Sequence, residues 1–203
     1  MADKILMNKN TLATLKNELK GYRTALPVFE MKEQKLKEVI QSIENAVERL
    51  KIAIENTNNE VKDWAAVMAE PAVALDDIIE ISTLETKTRE IAGVIVEQLE
   101  TIDFTSQEID YLETPLWLDA AMEVLKDQKT NLEMLRLEQG NLDRVREELA
   151  EARRMKNALK EVFIPETKAN IRKIEIYLGD VERLAIGCAK LVKKKKERKS
   201  QVS

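Results

Sequence analysis

Paired carboxylates have the best claim to chemistry in this sequence. Asp76-Asp77 and Glu147-Glu148 each set two acids side by side, an arrangement that serves general acid/base catalysis when the surroundings drive the two pKa values apart. That requires a cleft to desolvate them. On a solvated helix an acidic pair is surface, and both are read so here. Other chemistry is excluded by absence. The chain has no histidine and one cysteine, Cys188, so it holds no Ser-His or Cys-His nucleophile, no histidine metal ligand and no internal disulfide. Its five glycines, Gly21, Gly93, Gly140, Gly179 and Gly187, form neither a G-x-G-x-x-G turn nor a G-x-x-x-x-G-K-[ST] loop, so no familiar phosphate cradle exists. A basic run, "KKKKERK" at Lys193 to Lys199, suits nucleic acid or an acidic membrane surface. Yet the whole chain carries −4 and the run has no aromatic platform beside it, while cations at a helix C-terminus are stabilising in any case. No nucleic-acid partner and no cofactor are expected.

The elements that carry these residues are helices. Aromatics are only 4% of the 203 residues, glycine and proline number 5 and 4, and charged residues reach 34%, a composition of long, thinly packed helices. Charges interrupt every apolar stretch, leaving no membrane span and no apolar leader core near Met1. A cytoplasmic chain, peripheral to any membrane, is expected. From Leu12, apolar residues recur in alternating steps of three and four through Leu19, Tyr22, Leu26, Leu36, Ile43, Val47 and Val61 to Met68, with only Glu33 and Thr57 breaking the seam. Sustained spacing of that kind predicts a coiled-coil helix. Pro27 falls inside it without changing the phase, so the helix should bend there and continue.

A second helix should open at Thr114, as cap, with Pro115 in its first turn. Its seam runs Leu118, Ala121, Leu125, Leu132 and Leu135, slips near Gln139-Gly140, and resumes as Leu142, Val145, Leu149, Ala152, Leu159 and Phe163. A fresh phase then follows through Ile164, Thr167, Ile171, Ile174, Leu178, Val181, Ala185, Cys188 and Val192. Pro165 sits where the two phases meet. A proline inside a helix loses one hydrogen bond and strikes the carbonyl four residues back, at about 3 kcal/mol, but "KEVFIPET" offers no Ser, Asp or Asn to cap a new start. One bent helix is therefore expected, of roughly 110 Å against about 90 Å for the first at the usual helical rise. Between them the helical period fails. Ile79, Ile81 and Thr83, then "ETKTRE", then Ile91, Val94, Ile95 and Val96 predict a small β-hairpin, which needs the helices or a partner to be stable. Trp64 and Trp117 are placed to brace it.

The expected fold is thus mainly α: a long antiparallel two-helix coiled coil from residues 1–70 and 116–203, with a hairpin-containing insertion at 71–115. "ARRMKNALKEVFIPETKANIRKIEIYL", "REIAGVIV" and "NKNTLATLKNELKGYRTALPVFEMK" resemble, respectively, the C-terminal, hairpin and opening blocks of the D-subunit family of vacuolar and archaeal-type rotary ATPases. The N-terminal block departs from that pattern in being less basic and in carrying Pro27. The resemblance implies a non-catalytic axle standing inside the A/B catalytic hexamer, whose middle meets the small F subunit of the central stalk and a rotor-ring adaptor, with no direct membrane insertion. It also implies interface residues at Arg153, Arg154, Asn157, Leu159, Ile164 and Pro165 and, on the hairpin, at Ile91 and Val94. An F-type γ shaft would need an α/β domain that the middle segment cannot form. A coiled-coil scaffold or homodimeric adaptor, including an export-ATPase stalk, is the alternative, though it needs no hairpin.

Overall fold

The computed structural model describes residues 6–68, 79–106 and 117–200. Asn8 starts the first helix: its Oδ1 accepts the Thr11 amide at 2.7 Å, satisfying one of the donors that a helix start leaves free. Helix α1 then runs Lys9–Met68 with Pro27 inside it, so the helix does continue through the proline. Strands β1 (Ile79–Ile91) and β2 (Val94–Ser106) follow, then α2 (Leu118–Asn157), a π-helical turn (Ala158–Phe163) and α3 (Ile164–Ser200). This is the expected mainly helical chain with a central antiparallel hairpin. The Asp76-Asp77 pair, the Thr114 cap, the Pro115 opening and the side chain of Trp64 lie outside the described residues.

Contacts divide the chain into two units, one of residues up to Met31 together with those from Ala152 onward, the other Lys32–Glu151. In the first, α1 and α3 are antiparallel: Lys9 pairs with Glu182 at 3.7 Å, Lys16 with Glu175 at 2.6 Å, and Tyr22 stacks on Phe163 with ring centroids 5.6 Å apart. Ala152, Leu159, Ile164, Thr167, Ile171 and Ile174 are buried. A fully buried Leu or Ile contributes about 1.5–3 kcal/mol, whereas an exposed ion pair gives less than about 1 kcal/mol, so the seam holds the unit and the ion pairs fix its register. Phe163 departs from the seam reading, being 40% exposed and reaching only the Tyr22 ring. Cys188 departs too. Lys9, at the start of α1, pairs with Glu182, and Cys188, about a turn and a half further along α3, is exposed.

In the second unit the seam continues through Leu36, Ile43 and Val47 of α1 and Ala121, Leu142, Val145 and Leu149 of α2. Antiparallel register is marked by Lys32 with Glu148, Glu44 with Arg146 at 2.8 Å, and Asn58 with Gln128 at 3.1 Å. The two polar intruders are accommodated locally. Glu33, 7% exposed, meets Lys37 one turn on at 2.7 Å, and the Thr57 hydroxyl donates to the Ala53 carbonyl at 3.0 Å.

The slip near Gly140 coincides with a second covered face of the helix. Asn141 and Leu142 are adjacent and both buried, so α2 has two covered faces here, and Asn141 serves the hairpin. Its Oδ1 accepts the Glu97 amide at 2.9 Å and its Nδ2 donates to the Glu97 carbonyl at 2.7 Å. Arg144 adds a bond to the Ile95 carbonyl at 3.3 Å and an ion pair with Glu97 at 2.9 Å. At the far end Lys129 donates to the Ile79 carbonyl, and Ile79 and Leu118 form a small core with Phe104, Trp117, Met122 and Leu125. Trp117 does brace the hairpin.

The hairpin is longer than the small one expected. Its strands have 13 residues each, and the polar "ETKTRE" stretch is itself part of β1. Ala92 and Gly93 form a two-residue turn between the facing pair Ile91 and Val94, with φ of 54° and 84°. Both angles are positive, as a turn matching strand twist requires. Gly93→Ala should therefore destabilise the hairpin by about 1–2 kcal/mol, while Ala92→Gly at the neighbouring position should cost almost nothing; equal losses in thermal melts would contradict the turn. Asn141→Ala strips both partners from the Glu97 peptide group and should cost about 1–3 kcal/mol. Hydrogen exchange reads this directly: a Glu97 amide as protected in the variant as in the parent chain would refute the anchoring role.

Candidate partner-binding surfaces

Burial along the second helix advances in steps of three, four or seven from Leu142 through Val145, Leu149 and Ala152 to Leu159, then by five to Ile164, then again by three and four to Ile174. A step of five cannot stay on one face of an α-helix, which turns once in about 3.6 residues. The π turn resolves it. The Ile164 amide donates to the Leu159 carbonyl, five residues back, which stacks the two buried side chains one above the other. The wider turn also lies immediately before Pro165, where the ring would otherwise meet the Glu161 carbonyl.

Six of the sequence-predicted site residues lie in or close to that turn, and burial sorts them into two groups. Leu159 and Ile164, 4% and 9% exposed, face the chain's own seam. Arg153, Arg154, Asn157 and Pro165 are exposed, as is Val162, while Phe163 is 40% exposed with its ring on Tyr22. Both arginines have partners within the chain. On the hairpin, Val94 is buried and Ile91 half-buried, so the tip faces inward. An ideal Cβ on Gly93 would lie 3.6 Å from the Lys32 ammonium of α1.

Two further surfaces were not among the predicted residues. Beneath the hairpin lies an open cavity of about 540 Å³, lined by Leu50 and Ala53 of α1, Leu99 of β2, and Met134 and Leu137 of α2. Beyond Glu182, nothing among the described residues covers α3: Leu184, Ile186, Leu191 and Val192 are all exposed, followed by the lysine run. The sequence did signal that end, since its seam outruns the start of the first helix. Asn141, Arg144 and Lys129 had only a faint signal, a buried-phase asparagine beside a slip. Among the described residues no cluster of His, Cys, Asp and Glu is arranged to hold a metal, and no helix is long and apolar enough to cross a membrane.

Comparison with known proteins agrees with this geometry. Residues 11–194 match the family model for the D subunit of ATP synthase. The D subunit of the V-type ATP synthase of Borreliella burgdorferi is 30% identical over 191 residues, covering 94% of each chain. The protein of the same name from Chlamydia trachomatis serovar L2 is 28% identical over 96% of this chain and 97% of its own, and that from Chlamydia abortus 25% identical over 100% and 99%. A helical pair interrupted by one antiparallel hairpin, aligned end to end with these relatives, belongs to the ATP synthase D-subunit family.

Proposed function

We propose that this chain is the non-catalytic central axle of a V/A-type rotary ATPase, coupling ATP hydrolysis or synthesis in an A/B hexamer to rotation of a membrane ring and to proton or sodium transport. The observation that carries the reading is the π turn at Ala158–Phe163 in a chain of the D-subunit family. A straight, even rod would press alike on every catalytic interface around it. The wide turn thickens the rod at one point of its length, with Val162 and Pro165 exposed there, so such a rod meets its neighbours unequally as it rotates. Arg153, Arg154 and Asn157 lie on the same stretch and contact the hexamer in this reading. The uncovered end of α3 enters the hexamer, and the hairpin unit, through the region of Ile91 and Val94, meets the small F subunit of the stalk and the ring adaptor. The axle itself works from the cytoplasmic side as a peripheral component.

The first test is enzymatic. The purified chain should hydrolyse no ATP, yet change the turnover of an A/B hexamer to which it is added; hydrolysis by the chain alone, or no effect on the hexamer, would end the axle reading. A second test isolates the π turn. Deleting Glu161 together with Pro165→Ala shortens the five-residue step to four and permits an unbroken α-helix with the same seam, so stability should hold or rise by up to about 3 kcal/mol. Coupling to the hexamer should fall. Pro165→Ala alone should keep the wide turn, because the spacing of Leu159 and Ile164 still demands it. A deletion variant that couples as well as the parent would show that the turn has no mechanical role.

A further inference from the structure

The hairpin's two edges are not alike. In a two-residue hairpin the pair flanking the turn, Ile91 and Val94, exchanges hydrogen bonds, and every second pair after it does the same. Arg89 with Val96 and Lys87 with Gln98 therefore point their peptide groups inward. Ile95 and Glu97 on β2, and Thr86, Thr88 and Glu90 on β1, point theirs outward. On β2 Asn141 takes the Glu97 amide and carbonyl, and Arg144 takes the Ile95 carbonyl. On β1 the outward groups of Thr86, Thr88 and Glu90 have no partner among the described residues. One edge is closed by α2 and the other is open.

On the face of β1 that carries Lys87 and Arg89 the strand's own charges are positive, Glu90 lying on the opposite face. Arg89 and Ile91 line a cavity of about 220 Å³ with Val39, Ser42 and Ile43 of α1, and Lys87 shares their face of the strand by the period of two. Among the described residues neither Lys87 nor Arg89 has an ion-pair partner, and Glu138, which lines the same cavity as Arg89, is not within ion-pair distance of it. These cations oppose a second copy of the chain, since antiparallel self-pairing centred on Thr88 would set Lys87 against Arg89. They favour an acidic strand.

We propose that the β1 edge at Thr86, Thr88 and Glu90 is a strand-addition site for an extended segment of a partner protein that alternates acidic and small apolar residues on its inward face. The main chain of that segment completes the ladder, its carboxylates meet Lys87 and Arg89, and its apolar side chains enter the cavity beside Val39 and Ile43. The proposal takes from the axle reading only that the hairpin meets a partner.

The test uses the full chain and two labelled eight-residue peptides, Glu-Thr-Val-Thr-Glu-Thr-Val-Thr and the same peptide with lysine in place of glutamate, each of which sets its charged and valine side chains on one face of an extended strand. By fluorescence anisotropy the glutamate peptide should bind at least about tenfold more tightly than the lysine peptide, and at saturation the Thr86, Thr88 and Glu90 amides should exchange more slowly while Ile95 and Glu97 stay as before. Thr88→Pro removes an amide the hairpin does not use, and should weaken binding by about tenfold or more. Should that variant melt early, Lys87→Glu combined with Arg89→Glu provides the second arm, reversing the preference toward lysine. No binding of the glutamate peptide at about millimolar concentration, equal binding of both peptides, or a dimer of the chain paired through β1 would each overturn the proposal. A chain that binds the peptide but leaves the hexamer's turnover unchanged would remove the axle and leave the strand site standing.

Discussion

The described helices depend on keeping a narrow apolar seam covered, because apart from the small cluster around Ile79 and Leu118 they bury little else. A globular domain can tolerate a displaced side chain because its neighbours surround it on all sides, but a helix pair buries one stripe per helix, and a residue turned away from that stripe faces water. Losing a Leu or Ile from the stripe forfeits about 1.5–3 kcal/mol. Small local departures from ideal helix geometry are cheaper than that. The chain accordingly bends its secondary structure to the seam, with Glu33 neutralised by Lys37 one turn away and the wide turn between Leu159 and Ile164 keeping both inside.

Pro165 gains its meaning from the same constraint. Its cost in a regular helix arises from a carbonyl four residues back and from a donor it does not have. In a π turn the bonding partner moves five residues back, as the Ile164 to Leu159 bond does, and the region where the ring would collide is opened. The proline and the five-residue step are thus satisfied by a single local change. Either feature alone would have been a fault, and together they fix where the helix must be wide.

The seam and its interruptions were legible because heptad spacing reports burial directly: Leu36, Ile43, Val145, Leu159, Ile164 and Ile174 are buried as their spacing implies. The meeting of two phases at Pro165 was visible as well, though a bend and a π turn look alike in a list of apolar positions, since both appear only as a break in period. Contacts between elements distant in sequence left little trace. Asn141 holds Glu97 from 44 residues away, and no local pattern tells a buried amide from a surface one. The length of the hairpin was hidden by its own exposure. Residues such as Thr86 and Lys87 face solvent in β1, and a strand with little to bury carries no alternation to read.

A chain with so little core must also hold its hairpin economically, and that explains why the two edges differ. Two strands alone are marginal in water, and the apolar contribution here is modest: Val94 and Val96 near the turn and the Ile79–Leu118 cluster at the far end. Between them the attachment is polar, through Asn141 and Arg144. Side-chain amides and guanidinium groups reach the backbone only where it points outward, so they occupy the edge nearest α2 and leave the opposite edge as it was. The open edge is then the geometric consequence of anchoring a hairpin to a helix by one side. Lys87 and Arg89 beside it, which have no ion-pair partner among the described residues, discourage like strands from stacking there, which narrows the partners that edge can accept.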